Sequence, residues 1–172
     1  GDGTFASKLS LSLTSGSLPF SMVQADFNHD QHIDLAVANY GTNSIGIHFG
    51  HGNGTFSDAI LYRLGSSRPA SIAVGDVNRD NHSDLIVASH GVASVIVLQG
   101  SGDGSFRVSA RYELGYDSTP VSLHAADFNV DRVSDFAMVD SSLSELLVFL
   151  SQDGSGYVVN RYSTGSCSHP AL

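Results

Sequence analysis

A single cysteine, Cys167, leaves the chain no partner for an internal disulfide. Tryptophan is absent. No apolar run approaches the roughly 20 residues that a membrane-crossing helix requires, so no membrane insertion of this segment is expected. Basic residues are scarce: 8 Lys and Arg stand against 17 Asp and Glu, for a net charge of −9. Nucleic-acid binders carry a basic stripe, and this balance excludes that class. No segment repeats its apolar residues with a helical period. No secretory leader is visible and the first residue is Gly1, so the chain reads as a fragment or processed piece.

What is present suits a globular β protein: 41% apolar residues and 18 glycines in 172 residues, enough for one domain with a core. One stretch organises the rest. Asp76-Val77-Asn78-Arg79-Asp80-Asn81-His82-Ser83-Asp84 puts side-chain oxygens at loop positions 1, 3, 5 and 9, while position 7, His82, offers its backbone carbonyl. A hard cation such as Ca²⁺ takes six to eight oxygens at about 2.3–2.6 Å, which a tight loop supplies from alternate residues. The pattern recurs as Asp26, Asn28, Asp30, His32 (carbonyl) and Asp34, and again as Asp127, Asn129, Asp131, Val133 (carbonyl) and Asp135. Asp and Asn are also ordinary turn formers. A turn alone, however, does not need four polar groups in register, and crowded carboxylates raise one another's pKa unless a cation intervenes. Up to three Ca²⁺ ions are therefore expected, which would bring the net charge from −9 to −3. Loop position 6, a glycine in EF-hands, is here Gln31, Asn81 and Arg132.

The three loops start at Asp26, Asp76 and Asp127, spacings of 50 and 51 residues. A glycine turn keeps the same beat: Gly1-Asp2-Gly3-Thr4-Phe5, Gly52-Asn53-Gly54-Thr55-Phe56, Gly102-Asp103-Gly104-Ser105-Phe106, and a decayed copy from Gln152 to Tyr157. Pro19, Pro69, Pro120 and Pro170 mark the same phase. In the middle unit, Ser71–Gly75 reads as a first strand and Leu85–Ala88 as a second, buried on both faces. Ser94–Leu98 reads as a third strand and Arg107–Leu114 as an outer fourth. Four short strands per unit of about 50 residues match a propeller blade. The predicted fold is all-β, a section of a β-propeller: blades at 19–68, 69–119 and 120–169, an outer strand of a preceding blade within 1–18, and the start of another unit at 170–172. Three blades do not close a ring. The remaining blades are expected from the parent chain or from self-association.

The D-x-N-x-D-x-x-x-D-L-x-V-A stretches, with Phe49-Gly50-His51-Gly52-Asn53-Gly54-Thr55-Phe56 after the first, resemble FG-GAP/VCBS-type repeats, the propeller repeats of integrin α subunits and of many secreted surface proteins. The resemblance implies an extracellular or cell-surface β-propeller with Ca²⁺ in the loops between first and second strands. The chain lacks the position-6 glycine and the Gly-Ala-Pro triplet; the missing triplet makes it more similar to the VCBS branch, and integrin-like ligand binding does not carry over.

A four-stranded meander puts the cation loops and glycine turns on one face. The opposite face shows loops that differ between units, and binding functions concentrate in such loops. Tyr40, Arg68, His90 and Tyr116 are the candidates there for contact with a protein or glycan. No nucleophile-elbow signature appears, so the chain is read as non-catalytic, an adhesion or recognition module. The alternative is an accessory propeller of a secreted enzyme, such as a polysaccharide-degrading one. His48 and His51 have no matched partners for zinc. Asn53-Gly54-Thr55 and Asn81-His82-Ser83 fit the N-glycosylation pattern, the first in an exposed turn.

Overall fold

The computed structural model describes residues 10, 11, 13–152 and 156–163. The first glycine turn, most of the stretch 1–18 in which an outer strand is expected, the centre of the decayed turn, Cys167 and the unit expected at 170–172 lie outside the described residues. Ser10, Leu11 and Leu13, within that stretch, are irregular.

Twelve strands form three antiparallel meanders. β1 (Pro19–Ala25), β2 (Asp34–Asn39), β3 (Ser44–His48) and β4 (Ile60–Arg63) make the first sheet, in that order. The second holds β5 (Pro69–Gly75), β6 (Asp84–Ser89), β7 (Ser94–Gly100) and β8 (Phe106–Glu113). The third holds β9 (Pro120–Ala126), β10 (Asp135–Asp140), β11 (Glu145–Ser151) and β12 (Tyr157–Ser163). These are propeller blades.

Proline explains the start of each blade. It cannot donate to a ladder, so it sits at a strand's first residue or at a bulge. The register slips between Pro19 and Ser21, again between Pro69 and Ser71, and a third time opposite Pro120, between Val139 and Asp140. Just inside the slip, a serine reaches sideways to the next blade. Ser21 Oγ accepts the Ile72 N–H at 3.4 Å, and Ser71 Oγ accepts the Leu123 N–H at 3.1 Å. These bonds hold β1, β5 and β9 side by side.

The continuous apolar run of β6 follows from burial on both faces. Leu85 and Val87 pack toward the first sheet with Ala36, Ala38, Ile45 and Ile47. Their neighbours Ile86 and Ala88 pack toward the third with Leu123, Phe136, Met138, Leu147 and Phe149. Alternate side chains of a strand point to opposite faces, so a middle blade has no solvent face to fill with polar residues. The outer blades differ: Met22 is 64% exposed on the first sheet, and Val139 (44%) and Tyr162 (54%) on the third. Leu11 and Leu13 line a cleft with Met22, Leu35 and Val37 on the first sheet's open side.

Candidate cation loops and the opposite face

The three expected cation loops fall between β1 and β2, β5 and β6, and β9 and β10, and they share one geometry. The position-1 carboxylate accepts the N–H groups of positions 5 and 6. Asp26 takes Asp30 N at 3.1 Å and Gln31 N at 2.9 Å. Asp76 takes Asp80 N at 3.3 Å and Asn81 N at 2.9 Å, and Asp127 takes Asp131 N at 3.0 Å and Arg132 N at 2.8 Å. The position-3 amide oxygen accepts the same position-5 N–H: Asn28 at 3.1 Å, Asn78 at 3.0 Å, Asn129 at 3.1 Å. Two oxygens from positions 1 and 3 therefore meet at one point in every loop. The amide nitrogen of position 3 then donates to the position-5 carboxylate, at 3.0, 2.7 and 2.9 Å.

Position 6 adopts a left-handed backbone in every copy: Gln31 at φ 69°, Asn81 at 61° and Arg132 at 68°. Position 4 does too, with His29 at 58°, Arg79 at 63° and Val130 at 62°. Side chains other than glycine pay about 1–2 kcal/mol in this region. The bonds from the position-5 and position-6 amides to the first aspartate hold the loop there.

Position 9 does something the sequence does not announce. Asp34, Asp84 and Asp135 are fully buried. One oxygen of Asp84 accepts Val77 N and the other Gly100 N, both at 2.8 Å. Asp34 does the same with Phe27 N and Gly50 N, and Asp135 with Phe128 N and Ser151 N. Each carboxylate thus staples the cation loop to the end of the third strand, and a cation would share oxygens already in use. Among the described residues, no three His, Cys, Asp or Glu side chains are gathered as a metal-holding group. Burial pushes the Asp84 carboxyl up to about 6, against the pull of the Val77 and Gly100 N–H groups, and the Asp80 and Asp76 carboxylates push it the same way. The donors fit a hard cation in kind, being all oxygens and largely anionic.

At position 7, the N–H groups of His32, His82 and Val133 each donate at 2.8 Å to the position-5 carboxylate. A position-7 residue that offers only its carbonyl to a cation leaves its side chain free to point away from the loop. His32 instead turns back, with Nδ1 3.3 Å from Asp30 Oδ1. Its ring also covers Gly52, where a Cβ would stand 2.4 Å from the ring; His82 covers Gly102 in the same way. The glycine turns therefore need glycine for close approach as well as for their positive φ.

The glycine turns and cation loops do share a face: Gly104 N donates to Phe27 O at 2.9 Å, from one blade to the loop of the preceding one. On the opposite face, three of the four candidate contact residues come together. The Arg68 guanidinium lies 5.9 Å over the Tyr40 ring, and His90 meets that ring edge-on at 5.9 Å. Phe20 stacks on Tyr40 at 4.6 Å and joins them, a residue the pattern of loops did not single out. Tyr116 is fully exposed and takes no part in these contacts.

Asp140, at the end of β10 on this same face, is only 1% exposed. It accepts the Ser118 hydroxyl and the N–H groups of Thr119, Ser142 and Leu143, at 3.1, 3.1 and 3.2 Å for the amides. Burial alone would raise its carboxyl; these bonds outweigh it and hold the group below the usual carboxylate range. The clue was the repeat, since Asn39, Ser89 and Asp140 are polar residues at one position of each blade. His48 is buried with Nδ1 on Ser57 O at 3.0 Å, whereas His51 Nδ1 meets Thr55 Oγ1 at 2.9 Å, so the two serve separate local bonds. Asn53 Oδ1 accepts the Thr55 hydroxyl at 2.7 Å in an exposed turn.

A comparison with curated proteins finds no match. The family model for the FG-GAP-like repeat matches twice, over residues 26–87 and 76–138. Each match opens on the first aspartate of a cation loop and crosses the following blade boundary, and together they cover well over half of the chain. On that match, with three four-stranded blades repeating at the same interval, the chain belongs to the FG-GAP-like repeat family.

Proposed function

We propose that this chain is a non-catalytic, Ca²⁺-braced propeller module of an extracellular or cell-surface protein, serving adhesion or recognition. The observation that carries the reading is the threefold recurrence of one loop geometry, in which the oxygens of positions 1 and 3 converge on a single N–H. Asp26, Asn28, Asp30 and Asp34 would hold one ion, with the His32 carbonyl. Asp76, Asn78, Asp80 and Asp84 would hold the second with the His82 carbonyl, and Asp127, Asn129, Asp131 and Asp135 the third with the Val133 carbonyl. The ion supplies positive charge among carboxylates that otherwise repel, and so braces the bend between two strands. The patch of Tyr40, Arg68, His90 and Phe20 is the contact point for a protein or glycan. Further blades, from the parent chain or from another copy, cover the open sides of the first and third sheets. Support for this comes from the repeat itself: Ile86, Ala88, Val95 and Val97 of the middle blade are buried under the third sheet, while Val139 and Leu146, their counterparts to Ala88 and Val95, are exposed.

Chelation tests the brace. A ligand that binds only the folded state stabilises it by RT ln(1 + [L]/Kd). With Kd of about 10⁻⁴–10⁻³ M, common in extracellular modules, millimolar Ca²⁺ adds roughly 0.4–1.4 kcal/mol per site. Three such sites correspond to about 3–15 °C in a domain of this size. Melting followed by circular dichroism in millimolar Ca²⁺ and then in excess EDTA is expected to show that fall, reversed by added Ca²⁺. Superimposable melts would contradict the proposal.

A further inference from the structure

The position-4 residues of the first two cation loops each reach the loop of the next blade. His29 of the first loop places its ring 5.0 Å from that of His82 in the second. Arg79 of the second loop reaches the third: its Nη2 donates to the Asp131 carbonyl oxygen at 2.6 Å and stands 3.9 Å from Asp131 Oδ1. Val130, at the same position of the third loop, is 85% exposed. Asp131 is also bonded by Ser151 Oγ at 2.5 Å and by Asn129 Nδ2 at 2.9 Å. The position-5 carboxylate of the third loop thus has a guanidinium beside it and three neutral donors, counting the Val133 N–H. In the first loop, the corresponding Asp30 has the exposed His32 ring beside it and no arginine or lysine in an ion pair among the described residues.

Resting on the cation reading above, we infer that Arg79 makes the three sites unequal: its guanidinium acts as a resident counter-charge that lowers the third loop's affinity for a divalent cation. The two positive charges would compete for one carboxylate, and their repulsion opposes entry of the ion. Both side chains are part-exposed, 47% for Arg79 and 25% for Asp131, so water and salt screen the effect without abolishing it. At the dielectric of water, a unit charge repels a double charge a Debye length away by an amount equivalent to roughly fivefold in affinity before salt screens it.

Calorimetric Ca²⁺ titration of the full chain at low ionic strength tests this. The unaltered chain is expected to show two tighter sites and one weaker. Arg79→Gln removes the charge and keeps a hydrogen-bonding amide; it should tighten the weak site by up to about fivefold. The gain should shrink at about 1 M KCl, where the Debye length is ~3 Å. Arg79→Lys should leave the weak site weak. In an Asp127→Asn background, which disables the third loop, Arg79→Gln should restore no third site. An unchanged or weaker third site in Arg79→Gln, or a gain that ignores salt, overturns the inference while the cation reading stands. No Ca²⁺ uptake by the unaltered chain overturns both.

Discussion

Replacing Asp84 with alanine is expected to destabilise the chain by about 2–6 kcal/mol, and the loss should persist in excess EDTA. The reason is that Asp84 is a structural staple before it is a ligand. Its two oxygens satisfy Val77 N and Gly100 N, and the site is fully buried. Alanine leaves both donors without partner or solvent, at about 1–3 kcal/mol each. Asparagine retains one acceptor and should lose roughly half as much. Asp80→Ala behaves oppositely. That carboxylate lies on the exposed side of the loop, accepting His82 N and the Asn78 amide. Its substitution should cost stability in Ca²⁺ and little in EDTA. Urea denaturation of both variants, with and without Ca²⁺, separates the roles. An Asp84→Ala cost that vanished on chelation would show that the buried staple contributes nothing by itself.

Phe136→Ala is expected to cost about 3–5 kcal/mol, the range for truncating a buried aromatic. Phe136 is fully buried in β10 and stacks on Phe149 of β11 at 4.4 Å, with Tyr157 of β12 at 4.7 Å. Tyr112 of β8 meets Phe149 edge-on at 6.0 Å, so the cluster ties the third blade to the second. The residues at this position in the other blades are Leu35 and Leu85, and there the ring contacts are edge-on ones from Phe106 to Phe27 and Tyr62. The urea midpoint should fall without a change in slope, because the same surface unfolds. A loss below about 1 kcal/mol would mean that the two blades are not packed through these rings.

The strand plan was legible because blade geometry imposes a period on the chain. Pro19, Pro69 and Pro120 each open a first strand, each D-x-N-x-D bends the chain back, and each short apolar run is a second strand, that of β6 with a blade on either side. The strands extend one or two residues beyond the apolar runs, as in β6, because Asp84 and Ser89 at its ends are buried through polar bonds. The position-9 aspartates were legible as oxygens in register but not as staples. Their partners, Gly50, Gly100 and Ser151, lie 16 residues away and reach them only once the third strand is in place. Asp140 was hidden for a similar reason, since its bonds to Ser118 and Thr119 cross from one blade connection to another turn. The reach of Arg79 to Asp131 spans 52 residues and depends on the offset between neighbouring blades. Tyr40, Arg68 and His90 were chosen singly from variable loops; their convergence is a property of how two blades sit side by side.

The most direct measurement of the central claim is the number of Ca²⁺ ions the chain takes up, read by native mass spectrometry in millimolar calcium. Three ions are expected on the intact chain, and two when Asp127 and Asp131 are both changed to asparagine. An intact chain that carries none, with melts indifferent to chelation, would mean that the nine loop aspartates serve only to fold their own turns.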